Sequence, residues 1–273
     1  MLSPQPFRFN KVIVEATAGL VSTYKLNSAD YEASGPEGYA AMKGTIEMIH
    51  QVEPEAAVII DAKRGDTHDT NIDYACALFD EMQADAITIN PYFGEKALRP
   101  FLERKEKGIF VHCLSSDEGA EEFQYQPVSL RRNELDEIEK LLGHATHYNG
   151  VPLYEYVAYK VAHSWNKNHN CGLVIGATRS DELREIRKVI GDNMPILSPG
   201  IGAQGGDTYQ AFSAGKNKRG EGLILSSSRS IIFASTDNVA EAAHRETKKI
   251  AEEIHRARLK HSCRLSEGQA SPL

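Results

Sequence analysis

Asp61-Ala62-Lys63-Arg64-Gly65-Asp66 is the densest cluster of ionisable side chains in the sequence, and it follows directly on the apolar run at 57–60. Side chains alternate across a strand, so Asp61 and Lys63 face the same way, with Asp66 in the loop beyond. Carboxylates on either side of a lysine hold it as an ammonium, a fixed positive charge suited to electrostatic chemistry. An ordinary solvated ion pair at a strand end has the same spacing, and spacing alone leaves both readings open. Lys25 ends the preceding apolar run. Taken alone it reads as a solvated strand terminus, but beside Asp61 in a parallel sheet it extends the array to Lys, Asp, Lys, Asp.

A second cluster, Pro199-Gly200-Ile201-Gly202-Ala203-Gln204-Gly205-Gly206, is followed by Ser226-Ser227-Ser228-Arg229-Ser230. Glycine-rich backbone presents N–H groups to an anion, and arginine adds bidentate contacts, so the pair suits a phosphate. A glycine-rich turn by itself merely permits chain reversal. Ser115 and Ser116 offer hydroxyls at another strand end, where helix capping is the commoner use. His68, His112 and the other histidines show no metal-ligand spacing, and Cys76, Cys113, Cys171 and Cys263 form no CxxC pair, so buried or incidental thiols are expected.

These groups need elements to hold them. Val- and Ile-rich runs recur at residues 21–27, 57–63, 86–91, 108–116, 172–178, 195–202 and 222–229, and helical patterns such as 69–83 and 180–190 lie between them. Strand alternating with helix means parallel strands and crossover helices, the α/β class. Polar residues gather at the C-terminal end of nearly every strand, which favours a TIM (β/α)8-type barrel over an open sheet with one switch point. In barrel order the two phosphate-suited loops follow strands seven and eight, the usual phosphate site of such a fold. Only a few residues precede a helical pattern near 7–20, so the chain is expected to start one strand late. Residues 133–142 and 152–165 predict helices in a long connection, with Pro152 in a first helical turn.

A chain of 273 residues suits one barrel domain of about 250, here expected over 1–260, with a polar, aperiodic tail at 261–273 expected to be disordered. Thirty-one basic against thirty-eight acidic residues, without a Lys/Arg-rich block, argue against a nucleic-acid partner. No run of about 18 apolar residues is present to span a bilayer, and a cytoplasmic location is expected.

Six segments carry a family resemblance: YKLNSADYEASG from Tyr24, IIDAKRGD from Ile59, ADAITINPYFG from Ala84, GLVIGATRSDEL from Gly172, ILSPGIGAQGGD from Ile196 and SSRSI from Ser227. Together they are similar to the orotidine 5′-monophosphate decarboxylases, in particular to the bacterial branch with a longer connection before the sixth strand. The resemblance implies a catalytic array of Lys25, Asp61, Lys63 and Asp66, with Lys63 as proton donor to the pyrimidine carbon that loses carbon dioxide. It implies substrate binding by Ser116 at the pyrimidine, by Gln204 and Arg229 at the phosphate, and by Gly202 and Thr67. It further implies a homodimer with Asp66 contributed across the interface, and no metal or organic cofactor.

The chain departs from the family pattern at Thr67-His68-Asp69-Thr70, where Ile-Gly-Ser-Thr is usual, at Leu26 in place of proline, and at Ser115-Ser116-Asp117-Glu118 in place of Thr-Ser-Asn-Pro. The family's first strand and its ribose-binding aspartate have no match. Two other functions fit the same array: a magnesium-dependent sugar-phosphate decarboxylase or aldolase of the same superfamily, and a non-catalytic binder of phosphate ligands.

Overall fold

Apolar runs and amphipathic stretches alternate along the chain as strands and helices. The computed structural model describes residues 5–146, 150–202 and 205–268, the side chains of Gln5 and residues 262–268 excepted. It begins with α1 (Gln5–Thr17), β1 (Thr23–Asn27), α2 (Ser28–Glu32), α3 (Gly35–Val52), β2 (Ala57–Arg64) and α4 (His68–Ala75). β3 (Ala86–Ile89), α5 (Gly94–Leu102), β4 (Gly108–Leu114) and α6 (Ala120–Phe123) follow. The long connection holds β5 (Pro127–Ser129), α7 (Arg132–Leu142), β6 (Gly150–Pro152) and α8 (Leu153–Lys160). The chain continues through β7 (Cys171–Ile175), α9 (Ser180–Ile190), β8 (Ile196–Pro199), α10 (Thr208–Gly215), β9 (Leu223–Ser226), α11 (Arg229–Ile232) and α12 (Val239–Gly268).

Seven strands, in the order β1-β2-β3-β4-β7-β8-β9, make the main sheet among the described residues, and β5 and β6 form an antiparallel pair of their own. All four residues of β3 and all five of β7 are buried, as strands covered on both faces must be, which is why their sequences lack polar alternation. β1 and β9, at the two ends of the order, are mostly half-buried. The strand that the alternation asks for before α1 has no counterpart among the described residues.

The chain resolves into two compact units interleaved in sequence. One comprises Met1–His112, Lys167–Cys171 and Ser228–Lys249; the other comprises Cys113–Asn166, Gly172–Ser227 and Ile250–Leu273. In the first, α1 docks on the α2–α3 hairpin through Asn10, whose Nδ2 donates to Tyr31 Oη at 2.7 Å and Thr45 Oγ1 at 3.1 Å.

Several expectations change. The single helix expected at 69–83 is α4 followed by a π-helical stretch, Cys76–Glu81, and a second π-helical stretch, Val161–Trp165, ends α8. Pro152 lies one residue outside α8, in extended conformation at its N-cap and paired in β6. α12 runs to Gly268, into the polar tail that begins at residue 261. Residues 269–273 of that tail lie outside the described residues.

Arg187 is the main polar anchor of the second unit. It is buried on α9, and its guanidinium donates to four carbonyls, those of Gly215, Gly191, Met194 and Gly222, at 2.7–2.9 Å. Burial pushes its pKa down to about 10, with Asp192 opposing, so it remains a cation at neutral pH. The side chain thereby joins the end of α9, the approach to β8, the end of α10 and the approach to β9. Replacing it by Met strands those acceptors, and Arg187→Met is expected to cost about 3 kcal/mol of stability. Urea unfolding measures this, and an unchanged midpoint would show that the four contacts are dispensable.

Candidate active site

The charged array forms where β2 departs from regular pairing. Lys25 stands opposite Ile59 and Asn27 opposite Asp61, so the Lys25 side chain reaches diagonally along the strands to the Asp61 carboxylate. Its Nζ donates to Asp61 Oδ2 at 2.8 Å. Lys63 Nζ donates to Asp61 Oδ1 at 2.7 Å. Between the pairs Ile60–Ile87 and Arg64–Ile89, β2 advances four residues while β3 advances two, an irregularity that takes Asp61 to Lys63 out of the β2–β3 ladder. Lys63 sits in this stretch at φ 46°, left-handed backbone that a residue with a Cβ rarely adopts. Simple strand alternation therefore does not account for Lys63 meeting Asp61.

One carboxylate thus holds two ammonium groups and a third donor, because Thr88 Oγ1 donates to Asp61 Oδ1 at 2.8 Å. Burial alone would push the Asp61 carboxyl up. The charge and hydrogen bond of Lys25, joined by those of Lys63, outweigh it and hold Asp61 well below the usual carboxylate range. The two lysines are not equivalent: the Lys25 side chain is 13% exposed and that of Lys63 is 50% exposed. Lys25 is half-buried against the carboxylate, and Lys63 is the cation open to an incoming ligand.

Asp66 does not join this array. Among the described residues both lysine ion pairs end on Asp61, and the Asp66 carboxylate accepts the Thr67 N–H at 2.6 Å. Its loop is fixed from behind by the fully buried Asn71, whose Oδ1 accepts the Asp66 N–H at 3.0 Å and whose Nδ2 donates to the carbonyls of Asp66 and Ala97 at 2.7 and 2.8 Å. Thr67 caps α4 in extended conformation, exposed, with its hydroxyl 3.2 Å from that of Thr70. Gly65 is required here, since a Cβ would lie 2.7 Å from the Asn90 carbonyl oxygen.

Arg229 belongs to the same unit and is exposed at the first residue of α11. In the second unit Ser116 is half-buried, and its backbone packs so closely on Gly176 that a Cβ there would lie 2.8 Å from the Ser116 nitrogen. Ser115 beside it is engaged locally, donating to Asp117 Oδ2 at 2.7 Å through its hydroxyl. Gly202 turns the loop after β8 at φ 78°; its carbonyl accepts the Gly205 N–H at 2.8 Å, and Gly206 folds back onto Gly200 at 3.2 Å. Gln204 lies outside the described residues. Burial pushes the Cys113 and Cys171 thiols up, the latter to about 12, in keeping with inert, packed cysteines.

Thr88 and Asn71 escaped the sequence reading. A threonine inside Ala-Ile-Thr-Ile reads as a β-branched core residue, and an asparagine in a helix reads as a solvated face. The available signal was position: each is one strand or one helical turn from the charged array.

Parallel strands joined by helices, with ionisable side chains toward their C-terminal ends, define a β/α-barrel of the kind that carries enzyme sites. The chain belongs to the Orotidine 5'-phosphate decarboxylase / HUMPS family, whose profile matches residues 4–245. It is 39% identical over 253 residues to the orotidine 5'-phosphate decarboxylase of Cellvibrio japonicus, covering 92% of this chain and 84% of that one. It is 42% identical over 239 residues to that of Herpetosiphon aurantiacus, covering 87% and 79% respectively. The solved structure of Leishmania donovani OMP decarboxylase superposes with a TM-score of 0.77 at 31% identity, covering 93% of this chain and 87% of that one. The fold is accordingly of the TIM-barrel type.

Asp61 makes a prediction about acid stability. Its folded pKa is depressed below the ordinary 3.8, so its contribution is present above that value and is lost as pH falls from about 4 toward the lower folded value. Asp61→Asn should therefore show a shallower loss of unfolding free energy below pH 4 than the parent chain. Parallel acid limbs in urea titrations between about pH 2 and 6 would remove Asp61 as the group responsible.

Proposed function

We propose that this chain converts orotidine 5'-phosphate to UMP and carbon dioxide, the last step of pyrimidine nucleotide synthesis. The observation that carries the reading is one half-buried carboxylate gripping two ammonium groups, of which Lys63 is the more accessible, in a chain of this family. Breaking the bond to the carboxylate leaves an electron pair on the ring carbon. An ammonium fixed beside that carbon favours the transition state over the bound substrate, because the negative charge it answers develops only as the bond breaks. Lys63 then gives its proton to the carbon and regains one from solvent. Asp61, itself held by Lys25, keeps the Lys63 ammonium aimed.

Ser116 contacts the pyrimidine, Gly202, Gln204 and Arg229 take the phosphate, and Thr67 lies against the substrate. Two copies of the chain form a homodimer in which Asp66 serves the neighbouring site. Its carboxylate is free of Lys25 and Lys63 of its own chain, which supports that reading. No described helix is long and apolar enough to cross a membrane, and we place the enzyme in the cytoplasm. It needs no cofactor. The second reading is a magnesium-dependent sugar-phosphate decarboxylase or aldolase of the same superfamily, and activity that persists in a chelator separates the decarboxylase from it.

Lys63→Ala should abolish decarboxylation while keeping appreciable affinity for UMP, since the ammonium acts mainly in the transition state. Near-normal turnover of orotidine 5'-phosphate by that variant would take the role away from Lys63. Arg229→Ala should raise KM roughly ten-fold or more through loss of a charge-assisted contact, and it should also lower kcat where phosphate binding assembles the site. Unchanged affinities for substrate and UMP in steady-state and calorimetric titrations would show that the phosphate is held elsewhere.

A further inference from the structure

We propose that Thr88 is a positioning residue that keeps Lys63 aligned for proton delivery, a role that rests on the decarboxylase reading above. Thr88 is the one polar side chain in β3 and is 1% exposed. A hydroxyl has one proton to give and lone pairs to receive, and Thr88 uses both functions on the neighbouring strand β2. It donates to Asp61 Oδ1, the oxygen that the Lys63 ammonium grips, and it accepts the Lys63 backbone N–H at 3.0 Å.

The second bond has a structural cause. Where β2 and β3 lose register, Lys63 has no backbone partner on β3, and its buried-side donor must find another acceptor. Thr88 supplies it, and so holds a lysine in left-handed backbone that few side chains tolerate. One hydroxyl thus fixes Lys63 at its main chain and, through Asp61, at its ammonium. Valine has the shape of threonine without either bond. In its presence Lys63 loses its fixed origin, so the step that depends on the ammonium's position slows, while nucleotide affinity, supplied by the phosphate and pyrimidine contacts, is kept.

The test uses the full chain with Thr88→Val and Thr88→Ser, measuring kcat and KM for orotidine 5'-phosphate and Kd for UMP. Thr88→Val should lower kcat by about a hundred-fold, the scale of a misplaced catalytic group, with KM and Kd near those of the parent. Thr88→Ser, which keeps the hydroxyl, should restore kcat to near the parent value. Parent-like kcat in the valine variant, equal losses in valine and serine variants, or a change confined to KM would each overturn the role. Should Thr88→Val fail to fold, Thr88→Cys, a weaker donor and acceptor, replaces it, and an unchanged kcat there overturns the role equally. A parent chain without decarboxylase activity would instead remove the functional reading. Lys63 side-chain NMR signals in the ligand-free protein then decide the positioning separately: they should be altered in the valine variant and parent-like in the serine variant, and identical signals in all three would contradict it.

Discussion

The Asp61 carboxylate is a half-buried charge whose ionisation burial alone would oppose, and it remains ionised because Lys25 and Lys63 compensate it. Remove either cation and the other is left beside a costly anion. The local structure follows from this demand. The diagonal reach of Lys25, the break in register between β2 and β3, the left-handed backbone at Lys63 and the inward hydroxyl of Thr88 all serve to bring donors to two oxygen atoms. Strained backbone of this kind persists only where several bonds determine it together, and such places cluster at functional sites.

The division of labour between the lysines has a chemical meaning. Lys25 is half-buried with Asp61 and behaves as part of the scaffold, whereas Lys63 keeps half of its side chain open. A cation that is held at one side and open at the other can meet a charge that appears on a ligand without first having to reorganise. That is the preorganisation by which fixed charges accelerate reactions. Asp66 is set on a loop that Asn71 pins from behind, and its carboxylate is not spent on its own chain's lysines.

Much of this was legible in the sequence because the strands are buried on both faces and announce themselves as Val/Ile runs, with charges standing out at their ends. Lys25, Asp61 and Lys63 were found that way, and they meet. The register break was not legible, since it arises from pairing with β3 rather than from any residue in β2. Thr88 was hidden for the same reason: its neighbours are apolar, and only the pairing turns its hydroxyl toward charge. The two π-helical stretches, Cys76–Glu81 and Val161–Trp165, follow ordinary helical patterns and have no sequence mark of their own.

The central claim is that the Asp61-bridged ammonium of Lys63 protonates the carbon from which carbon dioxide departs. Incubating the purified chain with orotidine 5'-phosphate in deuterium oxide, in the presence of a chelator, tests it most directly. The account predicts release of carbon dioxide in step with formation of UMP that carries deuterium at the ring carbon that bore the carboxylate, since an ammonium exchanges its protons with solvent. Unchanged substrate, or turnover that stops when the chelator is added, would contradict it.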